Sequence, residues 1–109
     1  MAGTYTRQLF VGASPVSGNL LIGTVPAGKV WVLRCVTCYM NVGSGADAQL
    51  LAPEQTNAVV YFDYNAGGRY REWEGRIALY AGQQVFLATK PWGARWSVTA
   101  YELEASPAP

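Results

Sequence analysis

Apolar positions in this chain come in short stretches that alternate with polar ones or run on unbroken, and glycine or proline closes most of them. None keeps the three-to-four-residue spacing of an amphipathic helix; a period of two belongs to β-strands. The longest apolar region, residues 20–42 (LLIGTVPAGKVWVLRCVTCYMNV), is split by Pro26, Ala27 and Gly28. Proline lacks the helical donor and glycine weakens a helix interior, so a continuous helix is excluded. The pattern predicts two strands joined around this turn as the central hairpin of an all-β domain.

Along the chain the same signals predict eight strands, at residues 4–11, 19–25, 29–42, 47–52, 57–63, 69–80, 84–90 and 94–104. Turns at this spacing point to one antiparallel β-sandwich, jelly-roll-like, of about eight strands. Residues 1–104 are the expected domain and the Pro-rich residues 105–109 an expected flexible tail. The strand order is not legible from this pattern.

Alternation assigns faces. In residues 4–11, Tyr5, Leu9 and Val11 share one side. In residues 29–42 both sets are largely apolar: Val30, Val32, Val36, Cys38 and Met40 on one, Trp31, Leu33, Cys35 and Tyr39 on the other. Residues 57–63 are also apolar on both faces. Strands of this kind are expected to be covered twice, by the core and by a second layer or a neighbouring subunit. Arg34 sits in the more apolar set and needs a partner if buried. In residues 69–80, Arg71, Trp73, Gly75, Ile77 and Leu79 oppose Glu72, Glu74, Arg76, Ala78 and Tyr80. In the last strand, Trp96, Val98 and Ala100 oppose Arg95, Ser97, Thr99, Tyr101 and Leu103. Trp31, Trp73 and Trp96 are therefore expected core anchors, with Gly23 and Gly75 marking bends or bulges. An Ala-Gly pair follows the strands ending at Val25 and Tyr80, and a new strand restarts at once; hairpins reusing one turn chemistry account for this echo.

Composition changes the picture in one respect. Half of the 109 residues are hydrophobic and only 14% are charged, against about 25% in an average soluble domain. So little charge implies that a partner covers part of the surface, and a homo-oligomer is expected. The net charge of +1 lacks the basic excess of an electrostatic nucleic-acid binder. The first residues show no signal-peptide pattern, no apolar run is long enough for a membrane span, and histidine is absent.

Candidate chemistry is sparse, and no cofactor or metal is expected. Cys35 and Cys38 form a C-x-x-C, but residues three apart on a strand lie roughly 10 Å apart and face opposite sides. A disulfide needs Cα atoms within about 7 Å, so both read as unbridged small hydrophobes. Glu72 and Glu74, two apart on one strand face, sit roughly 7 Å from each other, a spacing that glycosidases use. Beside Arg71 and Arg76, in a chain too short for a deep cleft, they read as a solvated charged face instead. An enzyme is not expected. Aromatic and basic residues gather late in the chain, and interfaces favour those types. Tyr64, Arg69, Tyr70 and Trp92, with Tyr39 and Tyr61, are the candidate interface residues.

The segment TVPAGKVWVLR, then REWEGRIALYAGQQVFL, then ARWSVTAYEL resembles small β-sandwich virion proteins of tailed bacteriophages, especially those of actinobacteria. The matching positions are Val25 to Lys29, Glu74 to Gly82 and Val98 to Glu102, within about residues 20–104. The resemblance implies a virion structural protein, commonly a homotrimer, placed at the tail tip or another minor-tail position. The alternative it allows is a capsid decoration protein on the head. Its implied partners are itself and other virion proteins, with a host-surface glycan as a further candidate and neither nucleic acid nor membrane insertion. A carbohydrate-binding module using Trp92 and nearby tyrosines is the alternative of another class.

Overall fold

The computed structural model describes residues 5–13, 19–40, 47–63, 70–90 and 94–105. They form eight strands: β1 (Tyr5–Ala13), β2 (Asn19–Thr24), β3 (Lys29–Tyr39), β4 (Asp47–Leu51), β5 (Ala58–Asp63), β6 (Tyr70–Tyr80), β7 (Gln84–Lys90) and β8 (Arg95–Glu104). The sequence places every one of them, with ends displaced by a few residues. Two four-stranded antiparallel sheets result, in the orders β1-β8-β3-β6 and β2-β7-β4-β5. Every chain-consecutive pair except β4–β5 is split between the two sheets, as in the interlocked Greek keys of a jelly roll.

That topology corrects the expected central hairpin. β2 pairs with β7, whereas β3 pairs with β6 and β8. The Pro26–Gly28 turn is therefore an arch from one sheet to the other. The Ala81–Gly82 turn, between β6 and β7, is its counterpart. The two arches bond to each other: the Val25 N–H donates to the Gln83 carbonyl and the Gly82 N–H to the Val25 carbonyl, both at 2.9 Å. Gly28 and Gly82 hold φ values of 77° and 86°, the left-handed region where a side chain is strained. The echo in the sequence is thus a pair of matched, mutually bonded arches. The Ala105 N–H closes this end of the sandwich on the Gly28 carbonyl, and Lys29 pairs with Glu104.

On β3 the unbroken alternation of faces is corrected, while Val30, Val32 and Cys35 still give it a second, partly apolar face. Its buried residues are Trp31 and Leu33, then Val36 and Cys38, followed by Met40. The period breaks once, at Arg34–Cys35, where the register shifts against both neighbours. From Leu33 to Val36, β3 advances three residues while β8 advances two (Ala100 to Val98) and β6 four (Ile77 to Trp73). A stepped β-bulge thus crosses the sheet and lets Trp31 and Leu33 before it and Val36 and Cys38 after it share the core, while Val30 and Val32 face outward. β5 likewise turns Val60 and Phe62 inward and leaves Tyr61 out. In β1 a register shift between Gln8 and Phe10 brings Leu9 and Phe10 against the core and leaves Val11 60% exposed, against its expected side.

The core joins Trp31, Leu33, Val36, Met40, Val98 and Trp96 of one sheet to Leu50, Val60, Phe62, Val85 and Leu87 of the other. The Trp31 Nε1–H donates to Glu102 at 2.9 Å, and Glu102 also receives Arg7 at 3.0 Å, so the buried indole keeps its polar end satisfied. A Cβ at Gly23 would come within 2.8 Å of the Trp31 ring, which is why β2 carries no side chain there. Trp73, expected as an equal anchor, is only half-buried against the core. Trp31→Ala is expected to cost about 3–5 kcal/mol, a large part of a small domain's roughly 5–15 kcal/mol. Trp73→Ala should cost clearly less. Denaturant titrations of both variants check this, and equal losses would contradict the placement of the two indoles.

Candidate association surface

The outer face of the β1-β8-β3-β6 sheet gathers the side chains that the core does not take. The registers order them in rows across β8, β3 and β6. At the braced end lie Leu103, Val30 and Tyr80, then Tyr101, Val32 and Ala78. Thr99, Cys35 and Glu74 follow, then Ser97, Thr37 and Glu72, and last Arg95, Tyr39 and Tyr70. One half of the face is apolar and half-buried to exposed; the other is hydroxylated and acidic, ending in two tyrosines and an arginine. Arg34 lies between the halves. Its guanidinium stands 5.1 Å from the Tyr101 ring centroid and donates to the Gly75 carbonyl at 3.0 Å. Those contacts partner one end of the guanidinium, as its place in an apolar strand demanded, while its buried Nε has no hydrogen-bond partner among the described residues.

Tyr39 and Tyr70 are direct cross-strand partners at one corner of this face, 40% and 54% exposed. The Tyr70 hydroxyl donates to Glu72 at 2.8 Å, and that bond, ahead of burial and the Glu72 charge, holds its pKa above the ordinary tyrosine range. Tyr61 is exposed on β5, in the other sheet, and belongs to a different surface. Tyr64, Arg69 and Trp92 lie outside the described residues, as do residues 43–46 and 91–93. The candidate interface residues read from the sequence did not include Tyr80, Leu103 or the Arg34–Tyr101 pair, and Val30 and Val32 entered only as one apolar face of a strand expected to be covered twice. Alternation put Tyr101 and Leu103 on an outer face, but only the β3–β8 register brings them beside Val30 and Val32.

Cys38 is fully buried and Cys35 half-buried on the outer face, neither in a disulfide, so the pair points apart as the strand geometry requires. Burial first, then the charges of Glu72 and Glu74, raises the Cys35 pKa above the ordinary thiol range. A thiol kept protonated in this way is a poor nucleophile. Glu72 and Glu74 are exposed side chains on an edge strand, opposite Thr37 and Cys35. Among the described residues no group of three or more His, Cys, Asp or Glu side chains could hold a metal ion, and no helix is long and apolar enough to cross a membrane.

No protein-family model matches the chain, and no curated protein matches it. Among solved structures it is similar to the Podospora anserina GH26-CBM35 β-(1,4)-mannanase, with a TM-score of 0.54 and 15% sequence identity. The match covers 98% of this chain and 29% of the mannanase chain. It is a likeness of fold, to less than a third of a longer protein.

The thiol geometry has a measurable consequence. Alkylation of Cys35 in the folded protein should show a pH midpoint above the ~8.5 of a free thiol. In a Glu72→Gln/Glu74→Gln variant the midpoint should fall without reaching the free value, because desolvation remains. Cys38 should react only on unfolding. Mass spectrometry of the native protein should find no Cys35–Cys38 bridge.

Proposed function

We propose that this chain is a non-enzymatic structural protein of a tailed-phage virion, acting by self-association and attachment at the tail tip or another minor-tail position. A capsid decoration protein on the head is the alternative location. The observation that carries the reading is the outer face of the β1-β8-β3-β6 sheet. It is broad and ordered, carries the half-buried Val30, Val32, Tyr101 and Leu103 beside exposed tyrosines, and has no covering layer among the described residues. A rigid sheet that presents apolar and aromatic side chains suits a permanent contact better than turnover.

The segments behind the phage resemblance support the same reading. Val25 to Lys29 forms one arch and Glu74 to Gly82 leads into the other, and the two hydrogen-bond to each other. Val98 to Glu102 runs along β8, which ends at Glu104 against Lys29.

Glycan binding is a second reading, motivated by the exposed Tyr39–Tyr70 pair. The structural neighbour is a β-(1,4)-mannanase, which makes β-(1,4)-mannan the first polysaccharide to test. Aromatic side chains that anchor an interface typically cost about 2 kcal/mol or more on truncation. Tyr39→Ala/Tyr70→Ala should therefore lower incorporation into particles lacking the protein roughly thirtyfold, with the melting temperature nearly unchanged. Copies bound per particle are the readout. Undiminished incorporation removes this corner from the attachment surface, and retention on a mannan column that the double variant loses would favour the glycan reading.

A further inference from the structure

β6 is the outer strand of its sheet, and among the described residues only β3 pairs with it. Its 11 residues, Tyr70–Tyr80, therefore present a row of backbone donors and acceptors along one edge. Such an edge is a template for another strand unless charge or a distortion blocks it. β6 carries charge, and the pattern of that charge is the informative feature.

The strand reads YREWEGRIALY. Laid antiparallel against a second copy of itself with Gly75 facing Gly75, it overlaps over its whole length. On the outer face Tyr70 then meets Tyr80, Glu72 meets Ala78 and Glu74 meets Arg76. On the inner face Trp73 meets Ile77 and Arg71 meets Leu79. Each pairing occurs twice about the two-fold axis, so two opposite-charge pairs form and no like charges oppose. Registers that keep inner side chains against inner ones differ by steps of two residues. One step one way sets Glu74 against Glu74, and one step the other way sets Arg76 against Arg76.

Burial supports the side-chain directions this pairing needs. Exposure alternates without a break from Tyr70 to Tyr80, even though β6 carries the extra residue of its pairing with β3, at Gly75–Arg76. Trp73 and Ile77 are only half-buried against the core, so a partner strand would cover apolar surface that the single chain leaves open. Neither Glu74 nor Arg76 has an ion-pair partner among the described residues.

We infer that β6 pairs antiparallel with β6 of a second copy of this chain, about a two-fold axis at Gly75, joining two four-stranded sheets into one of eight strands. The occupant is a second copy because the complementarity is of the strand to itself. This deepens the self-association part of the proposed function. Pairing is read in solution and particle incorporation separately, so either can fail while the other stands.

The test uses the full chain. Tyr70→Cys/Tyr80→Cys is expected to cross-link into a covalent dimer on mild oxidation, with peptide mapping locating the 70–80 bond. Neither single variant should do so, since equivalent positions lie about 33 Å apart in this register. In sedimentation equilibrium, Glu74→Arg should weaken dimerisation about tenfold by opposing two arginines twice. Glu74→Arg/Arg76→Glu should restore it to within about threefold. Circular dichroism verifies that these exposed substitutions leave the fold unchanged. A monomer at about 100 μM, a dimer indifferent to Glu74→Arg, or a trimer without the 70–80 link would each overturn the pairing.

Discussion

The fold depends on one extra residue in its central strand. β3 lies between β8 and β6, and its large apolar side chains cannot all reach the core on a period of two. Leu33 and Val36 differ in parity, yet both are fully buried. The bulge at Arg34–Cys35 resolves the conflict: across it β3 has one residue more than β8 and one fewer than β6. Burying a leucine or valine is worth about 1.5–3 kcal/mol relative to exposure, so an unbulged strand would forfeit one end of the core or the other. The cost is a displaced arginine, met by the Tyr101 ring and the Gly75 carbonyl.

The consequences of that bulge reach the surface. It gives β6 two more residues than β8 across the same stretch and places Gly75 on the inner side of the edge strand, where a Cβ would come within 2.6 Å of the Trp73 ring. It also separates the apolar half of the outer face from the acidic half, with Arg34 at the boundary. The same irregularity that completes the core therefore divides the surface into a part suited to burial and a part suited to polar contact.

One end of the sandwich is braced for a reason of topology. Strands alternate in direction along the chain, so the β2–β3, β4–β5 and β6–β7 connections share an end with the start of β1 and the finish of β8. There the arches bond to each other, Gln84 donates to the Pro53 carbonyl, and Glu102 joins Arg7 to Trp31. An end braced by backbone bonds and a buried tryptophan holds the sheets in fixed relation. That fixed relation makes the outer face usable for association, because a preorganised surface loses little freedom on binding.

Legible in the residues alone were the class of fold, the number and approximate limits of the strands, the inward faces of β6 and β8, and the opposed directions of Cys35 and Cys38. All are local properties: a period of two, turn residues, and the alternation of side chains along one strand. Tertiary structure alone decided the rest. The Pro-Ala-Gly turn has the chemistry of a hairpin, and only the strand order makes it an arch. The bulge in β3 was not legible because its position depends on registers with β8 and β6, far away in sequence. Tyr39 and Tyr70 were legible as interface types, but their meeting at one corner, and the separation of Tyr61 onto the other sheet, follow from pairing between distant segments. Local periodicity specifies which way a side chain points, and long-range register specifies what it meets.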